Sequence, residues 1–102
     1  MDDLVQFLRA RLADERERVR STAGVLARNA GALNLQPERA TAHAQEMVTA
    51  VEAKIRLFEE TVHPYLWVEG RVGRLAELQM RLMAFEYTAH PGYRPEWAPD
   101  QA

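Results

Sequence analysis

Pro37-Glu38-Arg39-Ala40-Thr41-Ala42-His43-Ala44-Gln45-Glu46-Met47-Val48-Thr49-Ala50-Val51-Glu52-Ala53-Lys54-Ile55-Arg56-Leu57-Phe58-Glu59-Glu60-Thr61-Val62 reads as one helix. Ala40, Ala44, Met47, Val51, Ile55, Phe58 and Val62 recur at steps of four and three, which places them on one stripe of an α-helix. Pro37 suits a first helical position, because its missing amide would be unpaired there anyway. His63-Pro64 is expected to end the run, since the residue before a proline avoids helical angles.

Upstream, Leu4, Leu8, Leu12, Val19, Leu26, Ala30 and Leu33 form a second stripe about 100° wide. One long helix over about 3–33 is expected, with Asp2 or Asp3 capping its free amides. Gly24 and Gly31 are its weak points, each costing about 1 kcal/mol relative to alanine. Glu15 and Thr22 fall inside the stripe, so the seam it forms is partly wet or sets register. Only Asn34-Leu35-Gln36 separates this helix from the next, and two long helices so joined should lie antiparallel.

Downstream, a third helix is expected over about 67–87, starting between Leu66 and Gly70. Val68, Val72, Leu75, Leu78, Leu82 and Phe85 are its core stripe, while Ala76, Met80, Met83 and Ala84 make a second apolar face. A helix that is apolar over most of its circumference is buried on more than one side. Val72, Ala76, Met80, Met83 and Ala84 are therefore the expected interaction surface, with a homodimer as the simplest way to cover it. The tail, 88–102, carries three prolines and is expected to be extended, anchored by Tyr93 and Trp97.

The 102 residues, 47% hydrophobic, suffice for one domain and one core. The absence of cysteine excludes disulfides, thiolate metal sites and thiol nucleophiles. No apolar run approaches a membrane span, and the charged start Met1-Asp2-Asp3 is unlike a signal peptide, so a cytoplasmic protein is expected. A net charge of −2 disfavours a dedicated nucleic-acid binder. Arginine nonetheless far outnumbers lysine, and Arg9, Arg16 and Arg20 flank the first stripe. They either pair across a helix seam with Glu52 and Glu59, or contact phosphates. Asp14, Glu15 and Glu17 are interleaved with them, which blunts any field a polyanion would follow.

Glu60-Thr61-Val62-His63 has the Glu-x-x-His spacing of di-iron helices, but a second such motif is missing and the pair lies off the apolar stripe. No metal and no cofactor are expected. His90, Tyr93 and Arg94, with Glu86 one turn earlier and Trp97 beyond, form either simple turn packing or a small polar site. No Ser-His-Asp order, Gly-rich phosphate loop or paired carboxylates occur, so catalysis is not expected.

Three segments carry a resemblance: Met1-Asp2-Asp3-Leu4-Val5-Gln6-Phe7-Leu8-Arg9-Ala10-Arg11-Leu12, Val51-Glu52-Ala53-Lys54, and His90-Pro91-Gly92-Tyr93-Arg94-Pro95-Glu96-Trp97. Together they resemble an actinobacterial and actinophage family of small proteins known only as a domain of unknown function. The last segment is similar to an Ala-Asp-His-Pro-x-Tyr-Arg-x-Glu-Trp ending, with Thr88-Ala89 departing from it. Many relatives carry a cysteine-rich insertion before the last helix that looks like a metal site; Pro64 to Gly73 stands there instead, so the resemblance implies no zinc here. The resemblance implies a lineage and no activity. The expectation is thus a single all-α domain, an antiparallel three-helix bundle with a proline-aromatic tail. Its expected role is a non-catalytic, self-associating interaction or assembly module, possible partners being itself and another protein. The alternatives are a small DNA-associated accessory protein and a ligand or enzyme site at His90, Tyr93 and Arg94.

Overall fold

A computed structural model describes residues 1–29, 31–32, 34 and 36–101. Its regular elements are all helical, with no strand among the described residues. Helix α1 spans Asp2–Arg28, α2 Pro37–Arg56 and α3 Arg71–Phe85. A π-helical segment, Leu57–Val62, and a 3-10 turn, His63–Tyr65, follow α2 directly. The chain divides into two compact units, Leu12–Lys54 and Met1–Arg11 with Ile55–Ala102.

In the Leu12–Lys54 unit, the buried side chains are Leu12, Ala23, Ala40, Ala44 and Val51. Ion pairs join the two helices there: Arg16 to Glu52 at 2.5 Å, Arg20 to Glu52 at 3.3 Å, and Lys54 to Glu15 at 2.9 Å. Glu15, the acid inside the apolar stripe, thus meets the chain's single lysine. Helix α1 stops at Arg28, short of the expected end near Leu33. The Asn29 side-chain amide donates to the Val25 carbonyl at 2.9 Å, closing the helix end, and Asn34 takes a left-handed φ of 57°. Ala30 and Leu33, expected in the stripe, lie outside the described residues.

The other unit buries Leu4, Val5 and Leu8 of α1, Phe58, Val62 and Leu66, Ala76, Met80 and Ala84 of α3, and Trp97. The winding does not end at His63. Pro64 has no amide to give and its ring crowds the carbonyl four residues back, so the helix widens before it. The His63 amide bonds the Phe58 carbonyl, five residues back, and the Thr61 hydroxyl donates to the Leu57 carbonyl at 2.6 Å. Both Phe58 and Val62 stay buried through the widened turn.

Helix α3 starts at Arg71, later than expected, because Gly70 sits at φ 81°, outside the helical region. It packs against the π segment, the His63–Tyr65 turn and the tail. Here the expected faces are exchanged. Ala76, Met80 and Ala84, expected at an interaction surface, are at most 3% exposed, and Met83 is half-buried. Val68, Val72, Leu75, Leu82 and Phe85, mostly expected in the core, are each at least 45% exposed. The reason is size. Gly73, Ala76 and Ala84 lie along one side of α3 and admit close neighbours; a Cβ on Gly73 would stand 1.8 Å from the Val68 carbonyl oxygen.

The tail is not extended throughout. Pro95–Trp97 and Pro99–Gln101 each form a 3-10 turn. Proline's fixed φ suits the first position of a helical turn, so each proline starts one instead of preventing it.

Candidate functional site

The outward side of α3 carries four of the ten large apolar side chains that stand exposed among the described residues. Val72, Leu75, Leu82 and Phe85 lie along it at 51–55% exposure. Leu57 on the π segment and Tyr65 on the following turn are comparably open, as is Trp67. Two hollows run between these elements and α3. One, of about 250 Å³, is lined by Thr61, Tyr65, Val72, Leu75, Ala76 and Gln79. The other, of about 170 Å³, is lined by Leu57, Val62, Gln79, Leu82 and Met83. Gln79 borders both, so the two adjoin along a groove line beside the exposed helix face. Of the residues expected at the surface, Val72 lies on it, Met83 edges the groove, and Ala76 lines the groove while remaining buried. Leu57 and Tyr65 were not anticipated; Leu57, like Val48, is an apolar residue of the second helical run that lies outside its stripe.

The tail residues converge on Phe7 of α1. His90, Tyr93 and Trp97 pack around its ring at centroid distances of 5.5, 5.9 and 5.1 Å. Trp97 is 8% exposed, and the Arg94 guanidinium stands over its ring while bonding Asp3 at 3.1 Å. The Gly92 amide donates to His90 Nδ1 at 2.9 Å, and Arg11 approaches Nε2. Both ring nitrogens therefore face neighbours within the chain, Nδ1 the Gly92 amide and Nε2 the Arg11 guanidinium. The Tyr93 hydroxyl is out of water without a hydrogen-bond partner, and this burial lifts its pKa above the usual phenol value. The arrangement brings His90, Tyr93, Arg94 and Trp97 together as packing; Glu86, exposed after α3, is not among their ring contacts.

Arg9, Arg16 and Arg20 are engaged by acids. Arg9 makes a bidentate pair with Glu59 at 2.6 and 2.9 Å, and Arg16 and Arg20 share Glu52. Hydrogen bonds from Arg9 and Arg16 hold the Glu59 and Glu52 carboxyls below the ordinary glutamate range. These two carboxylates offset two of the three positive charges. His63 packs between Phe58 and Trp67, and Glu60 pairs with Arg56. Among the described residues, no three His, Asp or Glu side chains converge as a metal cage, and no helix is long and apolar enough to cross a membrane.

Fold and surface together define a small all-helical chain whose most distinctive exposed feature is an apolar helix face with a groove beside it. The chain belongs to the family described as "Family of unknown function (DUF6221)", whose model matches residues 1–99. No curated protein and no solved structure matches it.

Proposed function

We propose that the chain is a non-catalytic interaction or assembly module, and that the outward face of α3 with its groove is the docking surface. The supporting observation is the half-exposed row Val72, Leu75, Leu82 and Phe85, joined by Leu57 and Tyr65. Contiguous apolar patches beyond a few hundred Å² are uncommon on proteins that work alone. Rigidity behind the face supports the reading too: Ala76, Met80 and Ala84 fix the back of the helix, so docking orders little. Within Leu12–Lys54, the pairs Arg16–Glu52 and Glu15–Lys54 support an antiparallel α1–α2 hairpin in this reading. A photo-crosslinking residue at Leu75 or Leu82, carried by the chain in cells of its source, tests the surface. Adducts with protein at both positions, and none from exposed His43, are expected; silence at Leu75 and Leu82 overturns the reading.

A further inference from the structure

Resting on that reading, we propose that the occupant of the α3 face is a second copy of this chain, laid antiparallel about a two-fold axis passing between Leu78 and Gln79. At about 100° per residue, Arg71, Leu75, Leu78, Gln79, Leu82 and Glu86 fall within one strip roughly 100° wide. The strip is a chemical palindrome. Leu75 and Leu82 are equidistant from the axis, as are Leu78 and Gln79, and as are Arg71 and Glu86. An isologous contact brings each residue against its opposite number in the other copy. Leucine therefore meets leucine on both sides of the axis, and each end of the seam sets an arginine against a glutamate. Both charged residues are exposed where the seam needs them.

The charges also choose the direction. A parallel pair would set Arg71 against Arg71 and Glu86 against Glu86, and like charges in register are penalised. Val72 and Phe85 flank the strip on opposite sides; Tyr65 lines the groove with Val72, and Leu57 lines it with Leu82. Together they extend the apolar area toward the roughly 800 Å² that each partner buries in a standard interface.

The cysteine-free chain makes the test direct. Light scattering of the full chain should give about twice 11.7 kDa. Arg71→Glu and Glu86→Arg should each weaken self-association about tenfold, and the two combined in one chain should restore it. Leu75→Cys and Leu82→Cys should form a disulfide when mixed and oxidised, while neither forms one alone. In the antiparallel register two copies of position 75 stand about 10 Å apart along the helix, beyond disulfide reach of about 7 Å. A single-copy mass at high micromolar concentration overturns the proposal, as does a dimer in which Leu75→Cys links to itself. Should the copy stay single while Leu75 adducts form with a different protein, the self-pairing falls and the docking surface stands. Any cysteine variant that loses its helical circular dichroism leaves the charge-exchange series to decide.

Discussion

Gly73 is where a single atom has the largest consequence. Its missing Cβ lets the Val68 carbonyl oxygen approach to a point 1.8 Å from where that carbon would be, and the obstacle is backbone, which cannot swing aside. Gly73→Ala should therefore shift α3 or the 66–68 segment and cost about 1–3 kcal/mol in chemical denaturation. Gly31→Ala, with nothing within 4 Å of the new carbon, is the control and should be neutral or slightly stabilising. Glu59 shows the other effect that a single residue has here. Arg9 lowers its folded pKa, so its contribution is complete above the ordinary glutamate value of about 4.3 and is lost as pH falls through the lower folded value. The melting temperature should drop between about pH 5 and pH 3, and Glu59→Gln should remove part of that descent. Both partners are over a third exposed, so at pH 7 the same variant should cost under about 1 kcal/mol. A descent unchanged in Glu59→Gln would assign the acid sensitivity to other carboxylates, Glu52 first.

Among the helices, what could be read from the sequence depended on how many faces were apolar. The stripe of the second run was legible because it was alone: Ala40, Ala44, Val51, Phe58 and Val62 are buried where a 3.6-residue period puts them. The cross-helix pairing of Arg9 and Arg16 with Glu59 and Glu52 was legible for a similar reason, since charges flanking two facing stripes have few other partners. Helix α3 offered two apolar faces, and periodicity cannot rank two stripes of equal period. The signal that could have ranked them was side-chain size, because Gly73, Ala76 and Ala84 mark close approach, whereas Leu75, Leu82 and Phe85 need room. The widened turn before Pro64 and the one-turn helices of the tail escaped for another reason: proline limits angles without fixing whether winding stops. This exchange of faces reverses the expected outcome of substitution. Met80→Glu would place an unpaired charge where no water reaches and should cost several kcal/mol, seen as loss of cooperative unfolding. Leu82→Glu, measured on dilute protein, should leave the unfolding free energy within about 0.5 kcal/mol. Equal destabilisation by the two would mean that the Leu82 side is covered after all.

At the scale of the whole chain, the two compact units differ in what their interiors are made of. Leu12–Lys54 buries Leu12 and Val51 with three alanines, Ala23, Ala40 and Ala44. The unit of Met1–Arg11 with Ile55–Ala102 buries Leu4, Leu8, Phe58, Leu66, Met80 and Trp97 among others. Burial stabilises at about 25 cal/mol per Å², and an alanine has little apolar area to remove from water. The ion pairs of the first unit add little, because their side chains remain 25–53% exposed. Opening should therefore begin where alanine fills the interior. Native-state hydrogen exchange should find the amides of Ala23 and of Ala40 to Met47 opening at least about 1 kcal/mol below those of Leu8 and of Met80 to Ala84, with a smaller denaturant dependence. A subglobal opening confined to Leu12–Lys54 leaves the outward face of α3 intact, so Leu75→Glu should not change that hierarchy. If the slowest amides of both units instead exchange at one free energy and with one denaturant slope, the chain unfolds as a single cooperative body, and interior composition does not set the order of opening.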